Sequence, residues 1–206
     1  MRDSIKKMFI GPKTAKMFES LDAELINLFY RWKIFRQLFD GGQKNINLLN
    51  RSGANVFALL QRLILDDVYL TLCRLTDPAK TAGFDNLGLQ LFLNELKAGV
   101  NESTASALES QFAELKTLTK HMREHRNKRL AHSDLKVTQK ANSLPSVLRG
   151  ELDDTLHALA KLMGHLHMIV FKRTKTYIEG PSISGADGRY LLEILTKGLS
   201  TKSHLE

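Results

Sequence analysis

The sequence predicts an all-α protein, an antiparallel bundle of long helices, and three observations carry that prediction. Apolar residues recur three and four positions apart over stretches many turns long, the period of a helix with one buried face. No stretch of useful length alternates apolar with polar residues as a half-buried strand does. Gly41-Gly42, Asp77-Pro78 and Gly180-Pro181 separate the periodic stretches where a helix has to end. With 206 residues, 43% of them hydrophobic, the chain has enough apolar material for a sizeable core. Its length suits one domain over 1–206, with a core at about 13–178.

The first helix starts at Gly11-Pro12, where proline's fixed φ fits the first turn. Its stripe is Met17, Leu21, Leu25, Leu28, Trp32, Phe35 and Phe39, and Gly41-Gly42 permits a left-handed cap at its end. Trp32 and the neighbouring aromatics are expected in the core, because they fall on that stripe. A second long helix carries Ile46, Leu49, Val56, Phe57, Leu60, Ile64, Val68, Leu72 and Leu75, with a kink or a close helix contact expected at Gly53. Asp66 and Asp67 do not form a paired-carboxylate site, since adjacent helical residues point about 100° apart. Asp77-Pro78 ends this helix because the residue before proline is pushed out of the helical region.

A surface loop follows to Asn86, and Asp85 or Asn86 is expected to cap a short helix bearing Leu87, Leu91, Leu93 and Leu96. The central helix is expected from Ser103, its N-cap, to Asp134, with Leu108, Phe112, Leu115, Thr119 and Met122 inward. The segment 133–150 reads as a loop. The last long helix begins near Glu151 and carries Leu152, Leu156, Leu159, Met163, Leu166, Val170 and Tyr177. Its acidic start and basic end match the helix dipole. Within it, His165 and His167 flank Leu166 on two sides and read as structural. A short terminal helix with Tyr190, Leu191, Ile194 and Leu195 docks on the bundle, and Leu205-Glu206 resembles a purification-tag scar.

Composition narrows the function. The single cysteine, Cys73, cannot form an internal disulfide or, alone, a thiolate metal site, and without a visible base partner it reads as a small buried residue. No apolar run approaches the roughly 20 residues that span a bilayer, so a cytoplasmic protein without a membrane partner is expected. The net charge of +8 is compatible with a polyanionic partner. Between Lys120 and Arg129 there are five cations and one anion, which is either a nucleic-acid surface or a solvated helical face.

Two motifs overlap in that basic stretch. His121-Met-Arg-Glu-His125 fits the H-x-x-E-H spacing of zinc peptidases, but it lacks a third ligand and is flanked by Arg123 and Arg126, which would oppose a dication. No metal and no cofactor is therefore expected. The second motif is Arg126-Asn-Lys-Arg-Leu-Ala-His132. Arg126 falls where the inward stripe next comes round, and a cation on a buried face requires a partner. Six helical steps leave Arg126 and His132 about 120° apart on a straight helix, so their convergence requires a distorted turn or a second subunit.

This motif, extended through Ser133-Asp134 and joined with Leu72-Cys-Arg-Leu-Thr-Asp77, resembles the HEPN superfamily and its abortive-infection AbiU-type branch. The resemblance covers about Phe18 to Tyr177 and is sharp only in those two stretches. It implies a HEPN-type helical bundle and a metal-independent endoribonuclease of a toxin or phage-defence system. It also implies a homodimer whose two motifs face one cleft, RNA as substrate and an antitoxin protein as a partner. On that basis Arg126, Asn127 and His132 are the candidate catalytic residues. His132 would move protons near neutral pH, Arg126 would stabilise charge on phosphorus, and Asn127 would orient the pair. Lys120, Arg123, Lys128 and Arg129 are the candidate RNA contacts. Asp134 either hydrogen-bonds His132 or caps a helix end; it stands where some HEPN toxins carry a modifiable tyrosine. The alternative is a non-catalytic module that binds RNA or a protein through the same basic surface.

Overall fold

The computed structural model describes residues 11–127, 149–177 and 187–202. The fold is all-α. Its helices are α1 (Pro12–Phe39), α2 (Gly42–Leu75), α3 (Leu89–Leu96), α4 (Glu102–Leu118), α5 (Lys120–His125), α6 (Arg149–Phe171) and α7 (Gly188–Lys202). Two compact units are present among the described residues. One comprises 11–25, 69–127 and 149–177, the other 26–68 and 187–202, so α1 and α2 each contribute to both.

In the first unit α4 packs along α6, and the inward stripes of both helices are buried as their spacing predicts. Phe18 is fully buried, with its ring centroid 5.5 Å from those of Phe92 and Phe171. It occupies the core position expected for Met17, which is only half-buried. The expected loop after α2 contains a tight exposed hairpin, Lys80–Thr81 paired antiparallel with Phe84–Asp85. Ala82 and Gly83 both have positive φ, 50° and 87°, as the turn between two twisted strands requires. Asp85 is thereby taken into the hairpin, and Asn86 donates to the Pro78 carbonyl and Thr81 Oγ1. Neither residue caps α3; Gly88 does, without a side chain. The buried face of α3 is Leu89, Phe92, Leu93 and Leu96, while Leu87 precedes the helix and is exposed.

The N-cap of α4 is Asn101 and not Ser103: Asn101 Oδ1 accepts from the Thr104 N–H at 2.8 Å. The expected continuous central helix breaks at Thr119, whose ψ of 0° separates α4 from α5. Much of the expected 133–150 loop lies outside the described residues, but Arg149 and Gly150 already belong to α6. That helix stops at Phe171, earlier than expected, because Lys172 takes a left-handed φ of 55°. Beyond it Lys175 and Tyr177 both reach back to Asp22, at 2.7 and 2.6 Å. His165 and His167 also serve structure, through Gln111 Oε1 and the Arg173 carbonyl.

In the second unit Leu38, Leu49 and Phe57 form a core cluster against which Leu191, Leu192 and Leu195 of α7 pack. Tyr190 and Ile194, expected on the docking face, are exposed. Trp32 and Phe35 are buried and stack with centroids 5.0 Å apart. Asp187 starts α7, its Oδ1 accepting from the Arg189 and Tyr190 N–H groups while Oδ2 accepts from Gln37 Nε2. The kink expected in α2 is present: Gly53 leaves helical geometry with ψ 68°. Past it, Val56 and Leu60, expected inward, lie exposed.

Candidate functional site

The end of α2 and the C-terminal end of α5 meet in one charged cluster. At α2's end the Thr76 amide still bonds back to Leu72, the Asp77 amide to Arg74, and Pro78 prevents further helix. This fixes Thr76 and Asp77 at a turn, beside α5. Arg123 comes from α5 and Arg126 from its C-cap, three positions apart and so on one face.

Asp77 holds both arginines. Arg126 Nη1 donates to Asp77 Oδ1 at 2.8 Å and Oδ2 at 2.7 Å. Arg123 Nη1 donates to the same Oδ1, and its Nη2 donates to the Thr76 carbonyl at 3.2 Å and to Thr76 Oγ1 at 2.8 Å. Thr76 is fixed in turn, donating to the Leu72 carbonyl at 2.8 Å and standing 3.4 Å from the buried Thr119 hydroxyl. The break at Thr119 thus sits where that residue packs against the end of α2. The inward cation anticipated at Arg126 is real: its side chain is only 20% exposed, and its partner is Asp77 of the same chain. Arg126 Nε donates to Asn127 Oδ1 at 3.0 Å.

At Arg126 and Asn127 the backbone widens to π-type geometry. Such a bulge departs from the straight helix on which Arg126 and position 132 would diverge, and it recurs at functional sites. Lys128, Arg129, His132 and Asp134 lie outside the described residues. Lys120 is exposed at the first turn of α5, whereas Arg123 is half-buried and engaged by Asp77 and Thr76. The two histidines of the H-x-x-E-H spacing have separate surroundings. His121 Nδ1 is 3.7 Å from Glu151 Oε1, and the His125 ring lies 6.0 Å from that of Tyr69. Among the described residues no group of three or more His, Cys, Asp or Glu side chains is placed to hold a metal.

Cys73, one turn before Asp77, is fully buried. Burial pushes its thiol up to about 11, against the opposing pull of the Arg126 and Arg123 guanidinium groups. It is a packing residue, as its position in the sequence suggests. Asp77 and Thr76 are the site residues that residue-by-residue reading missed. The signal was present in two forms, a cation due on a buried face and an acid at the end of the neighbouring helix.

Among the described residues no helix is long and apolar enough to cross a membrane. A family model described as AbiU2, of the HEPN type, matches residues 11–187. No curated protein and no solved structure matches the chain.

Proposed function

Because the chain belongs to the AbiU2 family of HEPN proteins, we propose that it is a metal-independent endoribonuclease of a defence or toxin system, acting as a homodimer. The observation that carries this reading is the fixing of Arg126. Its Nη1 is locked on both oxygens of Asp77, and its Nε on Asn127, at a widened turn that opens the segment leading to His132. A guanidinium so anchored keeps its remaining N–H groups in a set direction, which is what stabilising charge in a transition state requires.

In the reaction the RNA 2′-hydroxyl attacks the adjacent phosphorus and the 5′-oxygen leaves, giving a 2′,3′-cyclic phosphate and a 5′-hydroxyl. His132 takes the 2′ proton, and the same histidine of the other copy gives one to the leaving 5′-oxygen. Arg126 neutralises the charge that gathers on the phosphorane, and Asn127 holds Arg126 in register. Lys120, Lys128 and Arg129 lie along the path of the RNA backbone, with Arg123 bracing Asp77. Asp134 orients His132. An antitoxin protein would silence the site by covering this basic surface.

The test is cleavage of a mixed RNA pool in the presence of chelator. Wild type is expected to yield 2′,3′-cyclic ends, and His132→Ala and Arg126→Ala are expected to lose about 100-fold or more in rate while remaining folded. Equal cleavage by all three proteins rejects these residues. One observation favours a second reading, a non-catalytic module that binds RNA or a protein. Asp77 already offsets part of the Arg126 charge. Salt-sensitive RNA binding with no cleavage of any RNA would select that reading.

A further inference from the structure

In the second unit, the first three turns of α2 and the middle of α7 wall an open groove of about 600 Å³. That volume falls in the range of about 300–1,000 Å³ in which small-molecule sites occur. The helical repeat builds both walls. Lys44, Asn47, Leu48 and Arg51 recur three and four positions apart and so share one face of α2, ahead of the break at Gly53. Leu192 and Thr196 stand one turn apart on α7, with Glu193 and Lys197 beside them.

The lining is one-sided in charge. Lys44, Arg51 and Lys197, all exposed, stand against the single acid Glu193. Cations gathered round one concavity raise the local concentration of anions there. Lys44 and Arg51 lie two turns apart, about 10 Å along the helix axis, and bracket Leu48. Leu48 and Leu192, both partly buried, give the groove an apolar floor.

An occupant that meets both features is an anion of at least two charges joined to a flat apolar body with polar edges. A phosphate group satisfies the cations, and a guanidinium such as that of Arg51 takes two of its oxygens at once. A hydrocarbon tail would press the Asn47 amide against apolar atoms without a partner, whereas a nucleobase meets it with a polar edge. Gln43 Nε2 donates to Asn47 Oδ1 at 2.8 Å, so the NH2 end of Asn47 is the one to donate to a ligand. Thr196 Oγ1 donates to the Leu192 carbonyl at 2.7 Å and meets a ligand as an acceptor.

We infer that the groove between α2 and α7 is a binding site for a nucleoside diphosphate, its phosphates held by Lys44, Arg51 and Lys197 and its base lying on Leu48 and Leu192. The site does not rest on the ribonuclease reading, because Asp77 and Arg126 belong to the first unit.

Isothermal titration calorimetry of the whole chain with ADP, in chelator, tests it. Wild type is expected to bind with a dissociation constant of about 100 µM or tighter. Arg51→Glu is expected to weaken binding about tenfold or more, and Lys44→Glu and Lys197→Glu about threefold each. All three side chains are exposed, so circular dichroism and melting should stay those of wild type. Arg62→Glu makes the same charge change on α2 outside the groove and is expected to bind ADP as wild type does. Arg126→Ala should also bind normally, which separates this site from the cluster on Asp77. Absence of ADP binding at 1 mM ligand, at about ten times the expected constant, overturns the inference. Equal weakening by Arg62→Glu and Arg51→Glu overturns it as well, since only the overall charge would then matter. Inorganic phosphate that binds as tightly as ADP overturns the role given to Leu48 and Leu192. Binding of phosphatidic acid vesicles without binding of ADP makes the occupant a lipid surface and sinks the nucleotide.

Discussion

Asp77 is the residue whose removal says most about the cluster, because two half-buried guanidinium groups depend on one carboxylate. In Asp77→Ala both cations lose their partner while 27% and 20% exposed, too deep for water to replace it fully. The expected loss is about 1–3 kcal/mol of stability, read from urea titrations, and much of it should vanish when Arg126 is also alanine. If Arg126 acts on RNA, Asp77→Ala should also slow cleavage by at least about tenfold, since a misplaced catalytic group forfeits its alignment. Loss of stability with cleavage unchanged would make the clamp purely structural. Cys73 gives a second residue-scale expectation. With its thiol raised to about 11 by burial, the sign is that the protonated form persists as pH rises through 8. Roughly one molecule in a thousand then carries thiolate, and alkylation should wait for unfolding. Rapid labelling of the native protein at pH 8 would contradict this.

At the scale of elements, the sequence was legible where a helix end is set by local chemistry and opaque where tertiary contacts set it. Pro12, Gly42 and Pro78 impose backbone geometry on their own, and the boundaries of α1 and α2 follow them. Thr119 imposes nothing by itself. It breaks the central helix in the place where it meets Thr76, a contact across 43 positions that no periodicity reveals. Lys172 likewise ends α6 in a conformation that composition does not favour, where the chain turns toward its contacts with Asp22. The caps give the sharpest element-scale expectations. Asn101→Ala should destabilise the protein by about 1 kcal/mol, measured by chemical denaturation, whereas Ser103→Ala should leave it within error. For α7, the Gln37 amide and the Arg189 and Tyr190 N–H groups hold the Asp187 carboxyl below its ordinary range. The linkage sign follows: the cap's contribution is present at neutral pH and is lost as pH falls through that depressed value. Amide exchange of the first turn of α7 should therefore gain protection as pH rises through the acid range, once corrected for intrinsic rates, and a flat profile would dismiss the cap.

For the whole molecule, the distinction that sequence could not draw is between charge that is free and charge that is already engaged. The net +8 and the dense run of cations around α5 point to a polyanion, yet Arg123 and Arg126 face an acid of their own chain while Lys120 is exposed. Cations contribute to RNA affinity by displacing counterions, and each phosphate neutralised on a single strand adds about 0.7 to the slope of log K against log salt. Only a cation able to leave its own partner adds to that slope. Binding of a single-stranded RNA, followed by anisotropy across a range of potassium chloride concentrations, should therefore separate the residues by kind. Lys120→Ala is expected to reduce the slope by about 0.7 and leave the melting temperature unchanged. Arg123→Ala is expected to leave the slope unchanged and lower the melting temperature by about 2–4 °C, the shift that corresponds to about 1 kcal/mol in a chain of this size. If Arg123→Ala instead reduces the slope as Lys120→Ala does, the clamp on Asp77 opens when RNA arrives, and Arg123 becomes a phosphate contact.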